Sequence, residues 1–175
     1  MTHLTRGAFA LTVLCVLPIA AGAQQSTATS PAQYVVNNQT ADRLLEQAVA
    51  LEGEHSQRGD AAKLYARSAD LRSYGDVRAH QAYQRAGWLL VGENPRSAEK
   101  ARQMFVKAGN RALETGHVYE AAVAFTDAAQ LVANHGARPL NEGLGRQHFE
   151  MALRLSDSPL LTEQQRTMIK DRLRA

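Results

Sequence analysis

Cysteine is almost missing: Cys15 is the only one in 175 residues. A lone thiol closes no intrachain disulfide and builds no cysteine metal cluster. Tryptophan is as scarce, with Trp88 alone, and aromatic residues make up 6% of the chain. Charge of one sign is also in short supply. There are 20 basic and 17 acidic residues, so the pI of about 9.2 reflects a small excess. No basic cluster with interleaved aromatics is present, and nucleic-acid binding is not expected. Past residue 23 no apolar run reaches the roughly 20 residues that a membrane span needs. Three chemical signatures are lacking as well. There is no G-x-S-x-G, no G-x-x-x-x-G-K-[ST] and no H-E-x-x-H. Hydrolase, nucleotide and zincin chemistry therefore have no footing in the sequence.

What is present begins with an export signature. Arg6 supplies a positive charge, Ala8 to Ala20 is almost wholly apolar, and Ala21-Gly22-Ala23 is small where a signal peptidase reads. Residues 1–23 are predicted to be a signal peptide cut after Ala23. The apolar run is too short for an uncleaved anchor, and Leu14 stands where an acylated Cys15 would need a small residue before it. Cys15 and Arg6 both leave with the signal. The mature chain then has no thiol and no spanning segment, and its stability must come from packing. It is expected in the periplasm or outside the cell.

Residues 24–40 are predicted to be a disordered spacer. Gln24 to Gln33 reads QQSTATSPAQ, polar and without periodicity. Tyr34-Val35-Val36 reads as a tether on the first helix. Residues 41–175 are predicted to form one helical domain.

That domain is written in one repeated pattern: a small residue, three positions, a large apolar residue, two positions, a small residue. The cleanest copies are Ala101-x3-Phe105-x2-Ala108 and Ala121-x3-Phe125-x2-Ala128. Others are Ala61-Tyr65-Ser68, Ala79-Tyr83-Ala86 and Gly145-Phe149-Ala152, with a weaker Ala41-Leu45-Ala48 and a degraded Gln165-Ile169-Arg172. Offsets of four and three place all members on one helical face. Small residues beside a ring let a second helix approach that ring closely. The fold class expected is all-α, with about seven helices and no strands.

Helix boundaries follow from caps and breakers. The predicted spans are 41–55, 61–73, 77–91, 95–114, 118–134, 141–155 and 162–174. Gly59-Asp60 and Gly75-Asp76 are read as break and cap, Gly92, Gly116 and Gly136 as helix ends, and Asn94-Pro95 as N-cap and first turn. Thr162-x-x-Gln165 is a capping-box pattern. Tyr65, Phe105 and Phe149 lie 40 and 44 residues apart, and Tyr83, Phe125 and Ile169 lie 42 and 44 apart. Helices 2–3, 4–5 and 6–7 are thus predicted to form three hairpins of a short solenoid, with helix 1 as an extra.

Phe105, Ala108, Gly109, Ala112, Gly116, Ala121, Phe125 and Ala128 carry a resemblance to one tetratricopeptide repeat over residues 102–135. Val118 stands where that family usually has an aromatic, and the closing proline is absent. The resemblance implies protein or peptide binding in a groove lined by the first helix of each hairpin, without catalysis or cofactor. Carried onto helices 2, 4 and 6, it places Lys63, Gln103 and Gln147, then Asp70, Asn110 and Arg154, in that groove. Asn110 would hold a peptide backbone because its amide donates and accepts. Lys63 and Arg154 would hold acidic groups.

The remaining polar residues read as structure. His3, His55, His80, His117, His135 and His148 form no i, i+4 pair in the mature chain, so no metal is expected. Glu52 and Glu54 point to different helix faces. Trp88 is expected to anchor helix 3, and Met104, Met151 and Met168 to fill the core. Arg96, Lys100, Arg102, Lys107 and Arg111 form a solvated side of helix 4. The function expected is an exported, non-catalytic scaffold for a protein or peptide partner. The alternatives are an enzyme or small-ligand carrier whose site forms only in three dimensions, or a self-associating structural subunit.

Overall fold

A computed structural model describes residues 31–91, 95–134 and 139–175. Among them the chain is all-helical: α1 (Pro31–Glu52), α2 (Arg58–Leu71), α3 (Arg78–Leu90), α4 (Pro95–Glu114), α5 (Val118–Asn134), α6 (Pro139–Ser156) and α7 (Glu163–Arg174). A short 3₁₀ turn, His55–Gln57, joins α1 to α2. The signal, residues 24–30, and the breakers Gly92, Asn94 and Gly136 lie outside the described residues.

Helices adjacent in sequence pack on one another throughout, α1 on α2 as extensively as α4 on α5. The first helix is thus a full member of the stack rather than an addition to it. The last step is the sparse one: α7 touches α6 little and leans on α5 as well. Bonds between alternate helices reveal two rows. Arg85 of α3 grips Glu52 of α1 through Nε and Nη2, each 2.8 Å from a carboxylate oxygen. In the same row, Gln130 of α5 donates to the Arg172 carbonyl of α7. In the other row, Lys107 of α4 reaches Asp70 of α2 at 3.3 Å, and Arg102 of α4 meets His148 of α6 at 2.8 Å. So α1, α3, α5 and α7 form one layer, and α2, α4 and α6 the other.

The repeated pattern builds the core between these layers. Ala41, Ala48, Ala61, Ala79, Ala86, Ala101, Ala108, Ala121, Ala128 and Ala152 are all buried. Tyr65, Tyr83, Phe105, Phe125 and Ile169 are buried beside them. Ser68 fills an alanine slot, and its hydroxyl donates to the Ala41 carbonyl of α1 at 2.7 Å, which satisfies a polar group inside the core.

The rings use glycine to get close. A Cβ added to Gly87 of α3 would stand 2.6 Å from the Phe105 ring of α4. One added to Gly109 of α4 would stand 2.8 Å from the Phe125 ring of α5. Each glycine is the place where the next helix's ring enters.

The helix ends show local chemistry. Gly116 has φ of +76°, a conformation that suits a residue without a Cβ. His117 donates to the Ala112 carbonyl and Gly116 to that of Leu113, the paired bonds of a Schellman stop. Asp76 caps α3, its carboxylate accepting from the Arg78 amide at 2.9 Å. Thr162 and Gln165 form the reciprocal capping box.

Three readings are corrected. Residues 31–40, read as part of a disordered spacer, are helical and belong to α1. Tyr34, Val35 and Val36 are exposed on that helix, so they are not a docked tether. Gly59-Asp60 does not break the chain: α2 already starts at Arg58. Gly59 has open space around it, and Asp60 pairs with Lys63 inside the first turn at 2.7 Å.

Candidate functional site

Lys63 and Asp70 stand on α2, Gln103 and Asn110 on α4, Gln147 and Arg154 on α6, and all six are exposed. Within each helix the two residues are seven apart, which returns them to one face. The three helices form a single layer, so the six lie on members of one row. Local bonds occupy several of them. Lys63 pairs with Asp60, Gln103 donates to Glu99 at 3.0 Å, and Arg154 sits 3.8 Å from Glu150. Such exposed pairs are exchanged for a ligand's groups at little cost.

Asp70 is held more firmly. It accepts hydrogen bonds from the Tyr83 hydroxyl of α3 and from Lys107 of α4. The Lys107 ammonium also lies 5.0 Å from the Tyr83 ring centre, a cation–π distance. Burial and the Asp70 carboxylate push the Tyr83 hydroxyl's pKa well above the ordinary phenol range. Tyr83 therefore stays protonated and keeps donating. The result is a fixed polar knot where α2, α3 and α4 meet.

The basic side of α4 is more than a solvated face. Lys107 holds Asp70, Arg102 holds Glu99 and touches His148, and Arg111 bonds Glu114. Burial first, and the Arg102 cation second, keep the His148 imidazole below its usual pKa, because both disfavour the charged ring. Its neutral ring stacks on Phe125, centroids 6.4 Å apart.

Other buried ionisable groups serve the frame. The Arg72 side chain is 0% exposed, between Asp42 of α1 and Asp76 of the α2–α3 turn, with Arg78 bridging the same two acids. His80 of α3 is buried against His117, ring centres 5.3 Å apart. Burial first, and His117 second, lower its pKa. Asp127 of α5 is buried and bonds Arg172 of α7. Burial pushes its carboxyl up to about 6, with Arg172 opposing that rise. Among the described residues no group of three or more His, Cys, Asp or Glu could hold a metal ion. No described helix is long and apolar enough to cross a membrane.

Sequence reasoning missed the long-range partners. Glu52, placed by the sequence only on a different helix face from Glu54, accepts from the Tyr65 hydroxyl and from Arg85, and Arg85 lowers its pKa. Trp88 meets Phe105 edge-on at 5.2 Å and so anchors α3 on α4, though it remains half-exposed. Met104 packs against the core, whereas Met151 and Met168 are exposed, correcting their reading as filler. Phe149, read as a packed ring, is exposed in a cleft of about 730 Å³ between α5, α6 and α7. Comparison with known protein families, curated proteins and solved structures finds no match.

Proposed function

We propose that this chain is an exported, tetratricopeptide-like scaffold that holds a protein or peptide partner along the face of α2, α4 and α6. The observation that carries this reading is the two-layer stack itself. Three parallel-running steps of one layer offer exposed polar side chains at the same pattern positions, above a core that the sequence repeats build from alanines and rings. That face stands on a packed helical core, and a host already ordered before binding loses little entropy of its own when a segment docks. Asn110 offers both a donor and an acceptor to a peptide backbone. Arg154 and Lys63 offer cations to acidic side chains. The export part of the reading rests on Arg6, the apolar run and Ala21-Gly22-Ala23. The reading includes no catalytic role: the six residues stand exposed on three separate helices, and none of them lines the cleft between α5, α6 and α7.

The test compares partner capture from the native envelope by tagged chains. Asn110→Ala and Arg154→Glu should each weaken capture, and Lys170→Glu on α7 should not. If both face variants capture normally while Lys170→Glu abolishes capture, the partner sits elsewhere.

A further inference from the structure

Five rings occupy the same step of the repeated pattern: Tyr65, Tyr83, Phe105, Phe125 and Phe149. The first four are at most 5% exposed, while Phe149 is 39% exposed. In the two best copies, the ring enters the gap beside a glycine of the preceding helix. At α6 the gap is closed in another way. A Cβ on Gly145 would stand 2.8 Å from Val132, so the α5 valine already fills that seam. Phe149 is left on the wall of the cleft between α5, α6 and α7.

The cleft has about 730 Å³, inside the roughly 300–1,000 Å³ range of small-molecule sites. Ala129, Val132 and Leu173 line it with Phe149, and its polar groups include Arg146 and Arg172. Arg146 is exposed and makes no ion pair among the described residues. Arg172 uses Nη2 on Asp127, leaving further guanidinium donors for another acceptor. Its backbone is fixed, since its carbonyl accepts from Gln130. An unshielded ring, aliphatic walls and two guanidinium groups on one cleft form a definite chemical complement.

We propose that this cleft binds a small amphipathic carboxylate, with its apolar body on Phe149, Val132 and Leu173 and its anionic head on Arg146 and Arg172. Apolar surface that the fold leaves uncovered supplies the driving force. The guanidinium fork orients the head and discriminates against cationic analogues. The site is separate from the α2–α4–α6 face and does not depend on a partner there.

The test is titration calorimetry of the purified chain with dodecanoate, kept below its micelle-forming concentration. Saturable one-to-one binding is expected. Arg146→Glu should weaken it by about tenfold or more, the scale of one charge-assisted bond. Phe149→Ala should weaken it as well. Arg154→Glu, on the same helix, should leave it unchanged, and dodecyltrimethylammonium should not compete. Circular dichroism confirms that each variant is folded. The proposal fails if no saturable binding occurs, if Arg146→Glu and Arg154→Glu lose equally, or if the cationic amphiphile binds as well. It also fails if light scattering shows a dimer that Phe149→Ala converts to monomer while dodecanoate leaves it intact.

Discussion

The Phe105 ring of α4 fills the space that a side chain on Gly87 of α3 would need. An added Cβ would stand 2.6 Å from the ring's Cε1, closer than any carbon contact tolerates. Phe105 is fully buried, so it has nowhere to withdraw. Gly87→Ala is therefore expected to destabilise the fold by about 1–3 kcal/mol, although alanine is the better helix former. Gly109→Ala should do the same against Phe125. Gly59→Ala, in open space on α2, should instead stabilise by up to about 1 kcal/mol. Urea melts of the three variants check the sign of each.

The rings themselves should rank by burial. Phe105→Ala and Phe125→Ala each remove a buried ring and are expected to cost about 3–5 kcal/mol. Phe149→Ala should cost far less, since its ring stands in an open cleft. Equal losses for all three would contradict the placement of Phe149.

Asp127 gives the stability a pH dependence of known sign. Burial raises its folded pKa from 3.8 to about 6. A carboxyl raised in this way binds its proton more tightly in the folded state. Its contribution is fully present below about 3.8 and is lost as pH rises through about 6. Asp127→Asn should remove this slope between those limits, and its stability relative to the parent should improve as pH rises through the window. Urea midpoints measured across about pH 3.5 to 7 test this. An unchanged slope in Asp127→Asn would refute the assignment.

The proposed export makes a mass prediction. Protein recovered from the envelope should begin at Gln24 by intact-mass measurement. A mature form retaining residues 1–23 would contradict the signal-peptide reading.

The helical frame was legible because it is local. Offsets of four and three, Gly116 after α4, and Thr162 three residues before Gln165 each act within one or two turns, and each produced the expected element. The spacer over 31–40 misled because its polar composition says little about a helix that continues from a packed one; Ala41 and Ala48 hold α1 on α2, and the segment before them extends the same helix. Gly59 misled because a glycine in a first turn breaks nothing when its φ is ordinary. The long-range bonds were not legible at all. Arg85 with Glu52, Lys107 with Asp70 and Arg172 with Asp127 join residues more than thirty positions apart, and any exposed helix side could have supplied such charges. For the same reason the six face residues could be placed on their helices, while the cleft at Phe149 could not be foreseen: the pattern there looks like every other copy.

The most direct test of the binding face is a photo-crosslinking amino acid placed at Asn110 and, separately, at Lys170, in chains expressed in the native envelope. The proposal predicts a discrete crosslinked partner from position 110 and none from 170. Crosslinking from 170 with nothing captured at 110 would contradict it.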